Sequence, residues 1–309
     1  MRDRVVTPNN RGSAGGVADT RETKFFGGKA LRSRIRRRPV AAMLLLMFVI
    51  ARAFLLPAFL LGVPLIPLPL LGAVLIAQLG SSIFVTWAAD GWPGVRRLFA
   101  RVFRWKVHPA WYAFALFAIP VASLVWTAVV FGGGAVHALF TDRAVILNYL
   151  SALTFLPIVN LWEEMAWMGM VQSRLQAYRG PVLAAVITGP LFGLLHMPLE
   201  LGLPIGSFLI SMSLLLLFAI PFRILLGWIY NATGGSILLV AIAHATFDAS
   251  NNTNLLVAAA RGQSFLQPGQ GAVLVTVVAL AIVGLILTRG RLGYRAATVP
   301  TSTPAMQSV

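Results

Sequence analysis

A chain of 309 residues with 58% hydrophobic and only 11% charged side chains lacks the roughly 25% charge that a water-exposed domain needs to cover its surface. It reads as a membrane protein. Lys and Arg number 25 against nine Asp and Glu, a formal charge of +16, while the absence of cysteine excludes disulfides, thiolate metal sites and a cysteine nucleophile.

Residues 1–38 are polar and carry eleven basic side chains, from Arg2 to Arg38, so they are expected to form a disordered basic cytoplasmic arm. A cleavable leader is not expected, because the apolar stretch after the arm exceeds the ~7–15 residues of a signal peptide. From Val40 to Thr288 the sequence is almost continuously apolar. One span takes about 20 residues, so dividing at polar, Pro and Gly breaks predicts eight helices. They lie near 40–61, 64–88, 110–131, 146–172, 180–198, 205–227, 234–250 and 271–288. The runs are too long and too uniformly apolar for barrel strands. The expected fold class is therefore all-α, a polytopic bundle of about eight transmembrane helices.

Lys and Arg fall 22 on one set of alternate connections and 2 on the other, a count that leaves Arg52 inside the first span and takes Arg223, just short of the drawn end of the sixth span, with the connection that follows. By the positive-inside pattern both termini are expected in the cytoplasm of a multi-pass plasma-membrane protein. The cluster Arg96, Arg97, Arg101, Arg104 and Lys106, interleaved with Leu98, Phe99, Val102, Phe103 and Trp105, reads as an amphipathic segment on an anionic cytoplasmic leaflet. Its aromatics fit an interfacial belt better than nucleic-acid contact, and no nucleic-acid partner is expected. Four stretches follow: the arm 1–38, N-terminal helices with the basic segment 39–143, a core 144–255, and the last helix with a polar tail 256–309.

Ionisable residues inside spans cost several kcal/mol and mark function. The candidates are Arg52, Glu163, Glu164, His196, His244 and Asp248. Asp90, His108, His137, Asp142 and Glu200 fall in connections or at interfaces, where solvation explains them, and are set aside. Adjacent helical residues point about 100° apart, so Glu163 and Glu164 divide the work: one faces a reaction centre and the other orients something beside it. The plain alternative is a pair of acids at a helix end. His196, near the end of its helix, reads equally as a ligand or a satisfied structural side chain. His244 and Asp248 stand at i and i+4 on one face. That spacing serves metal or oxyanion contacts, a carboxylate fixing an imidazole tautomer, or a buried pair bonded only to itself. Two Glu, two His and one Asp on three spans converge only in an interior polar chamber. A carboxylate with an imidazole activates water, and two His with one Glu is also a zinc ligand set. Hydrolysis is the chemistry indicated; no Gly-x-Ser-x-Gly elbow occurs, and an aspartyl dyad lacks its second Asp.

The pattern resembles the CPBP family, the intramembrane CAAX proteases and bacteriocin-processing proteins related to type II CAAX prenyl endopeptidase. The resemblance rests on Glu163-Glu164 followed by Trp167 and Gly169, Arg174-Leu175-Gln176, Phe192-x-x-x-His196 with Met-Pro-Leu, Thr233-Gly234-Gly235-Ser236 and His244-x-x-x-Asp248. It implies an eight-helix endopeptidase whose cavity opens to the cytosol and which cleaves membrane-associated, in some cases lipidated, proteins or peptides. Glu163 would then activate water, His196 assist, Glu164 support them, and His244 with Asp248 bind metal or stabilise the oxyanion. Zinc held by Glu163, His196 and His244 and a metal-free glutamate mechanism both stay open. One departure stands out: the family pattern Glu-Glu-x-x-x-Arg has Met168 at the Arg position. Glu164 then needs another partner: Arg52, deep in the first span, is one candidate counter-ion, and the alternative reading has Arg52 binding backbone carbonyls or snorkelling to the interface. Two other readings remain open at this point, a noncatalytic immunity or scaffold protein, which Met168 favours, and a proton-coupled carrier, which the lack of an inverted repeat disfavours.

Overall fold

The computed structural model describes residues 20–65, 68–141, 143–252 and 268–295, in helices and short connections with no strand among them. Residues 1–19, Asp142 and residues 253–255 of the expected core lie outside the described residues. The arm is the first correction: within the stretch expected to be disordered, Thr20–Arg37 forms a helix, α1. Its polar composition hides the contacts that seat it. Ile35 is buried, and Arg32 lies over the Trp87 ring while its Nε donates to the Ala88 carbonyl at 3.3 Å.

The first span is α2, Pro39–Leu60. Next, α3 (Leu68–Gly72), a π-helix π1 (Ala73–Gly80) and α4 (Ser81–Val102) join into one rod. Gly91 breaks the helical path of α4 with φ 68° and ψ −170°, a backbone conformation open essentially to glycine. The basic amphipathic segment thus leaves the membrane span at a defined bend. His108 caps α5 (Pro109–Phe131), its Nδ1 accepting from the Ala110 N–H at 3.2 Å, a structural role for a residue set aside above. After α6 (Gly133–Thr141) comes a second composite rod: α7 (Arg143–Glu164), a π-helix π2 (Met165–Gln172) and α8 (Ser173–Arg179). The remaining helices are α9 (Pro181–Leu195), α10 (Met197–Glu200), α11 (Ile205–Ala232), α12 (Ile237–Asn252) and α13 (Pro268–Leu287).

Among the described residues, Pro39–Leu60, Leu68–Val102, Pro109–Val130 and Ile205–Ala232 are long and apolar enough to cross a membrane; Pro181–Leu195, Ile237–Asn251 and Gly271–Leu287 are shorter apolar helices. Outward positions are apolar too, as Leu45, Val49, Val121, Val125, Leu217 and Ile286 show. With hydrocarbon outside, apolar burial cannot drive helix association, and close packing must do it. Gly189 and Gly193 provide that packing on α9. A Cβ at Gly189 would stand 2.8 Å from the Ile220 backbone, and one at Gly193 3.2 Å from the Leu215 carbonyl oxygen. The contact brings the His196 end of α9 beside Phe222 and Arg223 on α11, where Phe192 lies 6.0 Å from Phe222 between ring centres.

Candidate functional site

Four of the five predicted catalytic residues, Glu163, His196, His244 and Asp248, line one cavity of about 970 Å³ among α7, α9, α11, α12 and π1. Glu164 does not line it. The two adjacent carboxylates separate as the helical angle requires. Glu163 ends in the cavity, where the Gln78 side-chain amide donates to its Oε1 at 3.1 Å. Glu164 turns into the protein and is fully buried. The switch from α to π geometry falls immediately after this pair, and π segments recur at functional positions because they displace side chains from the ordinary register.

Glu164 is the centre of a buried charge network. Arg223 Nη1 donates to Oε1 at 2.8 Å and to Oε2 at 3.0 Å, with both side chains inaccessible to solvent. His244 Nδ1 lies 2.9 Å from Oε1, and because a carboxylate only accepts, this nitrogen carries the proton. The Arg223 guanidinium also stands 5.5 Å from the Phe192 ring centre, over its face. Of the two readings of Arg52, this rules out the pair with Glu164 and leaves the binding of backbone carbonyls. Arg52 instead donates to the carbonyls of Leu194 and Leu195, at 2.7 and 3.0 Å, the last residues of α9 before His196. It satisfies the open carbonyl end of that helix. Arg223 falls near the expected end of the sixth span at residue 227 and counts there with the connection that follows, whereas α11 continues to Ala232 and holds it inside the helix.

The imidazoles are held by different means. His196 Nδ1 sits 2.9 Å from the Phe192 carbonyl, so it donates and leaves Nε2 as the ring's acceptor. Its ring lies 4.7 Å from that of Phe192, which also touches His244 at 5.7 Å, so one phenyl ring spaces both histidines. His244 Nε2 is 3.7 Å from Asp248 Oδ2, too long for a hydrogen bond, and the Asn160 amide donates to that same oxygen at 2.8 Å. Asn160 and Gln78 are therefore candidate-site residues the sequence reading missed, along with Arg223. Uncharged amides in apolar helices carry no charge signal; only their burial, at 2% and 4% exposure, betrays them. Glu200, set aside as a connection residue, also lines the cavity and accepts from Ser211 Oγ at 2.6 Å. Asp90 pairs with Arg174 outside this cavity.

The zinc set Glu163, His196 and His244 can be tested on geometry. All three face the cavity, yet among the described residues no three His, Asp or Glu side chains are gathered closely enough to hold a metal ion. Glu164, the nearest further carboxylate to His244, is engaged by Arg223. The arrangement as it stands does not fit a three-ligand metal centre.

Residues 144–250, from the start of α7 almost to the end of α12, match the family model described as type II CAAX prenyl endopeptidase Rce1-like. That interval contains all five predicted catalytic residues and Arg223. No curated protein matches the chain. The matched family is a family of proteases, and the four long apolar helices among the described residues suggest a membrane protein. Over residues 144–250 the chain is therefore similar to the family of type II CAAX prenyl endopeptidases, to which the motif resemblance also points.

Proposed function

We propose that the protein is an intramembrane endopeptidase that hydrolyses a peptide bond in membrane-associated proteins or peptides, lipidated ones included, with Glu163 as the base that activates water. The observation that carries this reading is the convergence of Glu163, His196, His244 and Asp248 on one cavity while Glu164 is withdrawn into a charge pair with Arg223. Gln78 steers one oxygen of Glu163 and leaves the other to accept a water proton. As the water oxygen bonds to the scissile carbonyl carbon, Glu163 takes its proton, then delivers it to the leaving nitrogen as the C–N bond breaks. His196, with its acceptor nitrogen fixed by the Phe192 carbonyl, holds the water. His244 is oriented by Glu164 as an imidazole is oriented by a carboxylate in hydrolytic triads, and its Nε2 stabilises the developing oxyanion when protonated. Asp248, held by Asn160, sits one helical turn from it. No step runs through a metal, and the zinc alternative is separated by chelation as described below.

Eight transmembrane helices with both termini in the cytoplasm complete the proposal, in a multi-pass plasma-membrane protein. The 22-to-2 distribution of basic residues supports it, and it becomes 21 to 2 once Arg223 is assigned to the interior of α11. The basic piece of α4, together with Arg32, Arg36 and Arg37 of α1, forms one open cationic cleft of about 1410 Å³ that suits an anionic leaflet. A noncatalytic scaffold loses ground here, because Arg223 supplies the cation that Met168 lacks. The deciding experiment compares membrane proteomes of cells carrying the wild type and Glu163→Gln. Accumulated intact substrates and missing cleavage products in the variant, at equal protein levels, are expected; identical proteomes in a host shown to contain the substrate would end the proposal.

A further inference from the structure

The catalytic cavity carries the opposite charge to the chain that builds it. Of nine acidic residues in a protein of formal charge +16, Glu163, Asp248 and Glu200 face this one cavity, and among the described residues no Lys or Arg lines it. Even with His244 protonated, as its oxyanion role requires, the lining holds three carboxylates against one imidazolium. Glu164 adds nothing to this field, since Arg223 neutralises it behind the cavity wall.

Acidic residues alone do not define a ligand, but the hydrogen-bonding groups point the same way. Gln78 lines the cavity, is 4% exposed, donates its amide to Glu163, and keeps Oε1 with no partner among the described residues. A buried acceptor without a donor costs free energy and marks a place where a donor belongs. Ser211 spends its proton on Glu200, and Asn160 spends an amide proton on Asp248. The cavity is rich in acceptors and poor in donors. The rest of its wall is apolar, with Leu55, Leu156, Leu214, Phe218 and Phe247 among its side chains.

We infer that the substrate segment this cavity accepts is apolar with a Lys or Arg side chain close to the bond that is cleaved, and that Glu200 is a specificity-determining residue for that cation. The inference rests on the endopeptidase reading for the words "substrate" and "cleaved", although the charge preference itself is a binding property. A cationic head with three to five N–H donors meets the carboxylates and the open Gln78 oxygen, and its aliphatic stem lies on the apolar wall. An anionic side chain in the same place would be repelled and would leave the Gln78 acceptor unmet. Glu200 stands apart from the water-activating groups, on α10 rather than on the helices carrying Glu163, His244 or Asp248, so it can select without reacting.

The test measures binding and cleavage separately on the full-length protein in detergent. Fluorescent, N-acetylated apolar peptides of equal length carry Lys, norleucine or Glu at one central position, and their affinities are measured for the Glu163→Gln protein, which keeps two of the three carboxylates. The Lys peptide is expected to bind about tenfold more tightly than the norleucine peptide, and the Glu peptide least. Adding Glu200→Gln is expected to remove most of that preference while the norleucine affinity stays unchanged, and Glu200→Asp, which keeps the charge, to preserve it. A non-acetylated norleucine peptide that matches the Lys peptide would assign the preference to a terminal ammonium and overturn the side-chain assignment. Equal binding of all peptides, binding of none, or a Lys preference untouched by Glu200→Gln overturns the inference. Wild-type cleavage discriminates the two readings: Lys-selective binding with no peptide cut removes the peptidase reading alone, whereas cleavage of Lys and norleucine peptides at equal kcat/KM removes the charge preference alone.

Discussion

Removing Arg223 tests the most buried electrostatic contact in the protein. Arg223→Met deletes two charge-assisted hydrogen bonds to Glu164, at 2.8 and 3.0 Å, and keeps an unbranched side chain in a site with no solvent access. Such bonds contribute about 1.5–3 kcal/mol each, hence about 3–6 kcal/mol together. That agrees with the ~3–5 kcal/mol lost when one partner of a buried ion pair is removed and the other stays behind as an uncompensated charge. At roughly 2–4 °C per kcal/mol for a domain of this size, Tm in detergent should fall by about 10 °C. Glu164→Gln should cost a similar amount, because it strands the guanidinium, whose Nε and Nη2 already lack partners. The double variant removes both charges and should be more stable than either single variant, with a coupling of at least ~2 kcal/mol. Thermal unfolding followed by tryptophan fluorescence measures all four proteins. Additive losses, or an Arg223→Met protein that melts with the wild type, would refute the pair as the partner that holds Glu164. The same cycle run with Arg52→Ala in place of Arg223→Met should show no coupling.

Arg52→Ala should act on the helix end instead: with the Leu194 and Leu195 carbonyls released, Tm falls by a few degrees and the next residue, His196, loses definition, so kcat falls more than KM rises. Gly189→Ala should cost about 1–3 kcal/mol from overpacking, since the new methyl meets backbone atoms of Ile220 at 2.8 Å that cannot move aside. Gly206→Ala, with nothing within 4 Å of the added carbon, should leave the melting temperature unchanged or raised. Treatment with a strong zinc chelator followed by gel filtration should leave cleavage intact; loss of activity restored by added Zn2+ would show that Glu163, His196 and His244 move together into a metal site.

Much of the site is legible in the sequence because charge inside an apolar helix is an unambiguous signal. Glu163, Glu164, His196, His244 and Asp248 stand out against their apolar neighbours, and i, i+4 spacing correctly places His244 and Asp248 on one face. The failures have specific physical causes. Arg223 lies near the expected end of the sixth span at residue 227 and reads as part of the connection that follows, yet α11 continues to Ala232. Its guanidinium was therefore counted as solvated. Glu200 is likewise read as a connection residue, just after the C-terminal end of α9, where the short helix α10 turns it back to the cavity. Gln78 and Asn160 act through neutral amides that hydropathy cannot separate from ordinary polar residues in helices. The fold class follows from composition, but α1 does not, since its seat depends on a buried Ile35 and the stacking of Arg32 on Trp87.

The departure at Met168 and the π geometry of the segment that contains it are connected. An i, i+4 argument puts residue 168 one α-turn from Glu164 and makes an arginine there its natural partner. In this protein the backbone widens to π geometry from Met165 onwards, so residue 168 no longer stacks one α-turn above Glu164, and its side chain is fully buried among apolar neighbours. The cation reaches Glu164 from α11 instead. Restoring the family residue in the wild type should therefore do harm: Met168→Arg places a second cation in a site whose single carboxylate is already engaged. An unpaired buried charge costs several kcal/mol, enough to prevent stable folding or to drop Tm by more than 10 °C. In an Arg223→Met background the same substitution meets a vacant carboxylate, so it should raise Tm above that of Arg223→Met alone and restore part of the lost peptidase activity. Sign reversal between the two backgrounds is the required result. If Met168→Arg is neutral in the wild type, the site has room for two cations, and Arg223 is then a structural arginine and not the replacement for the one the motif lacks.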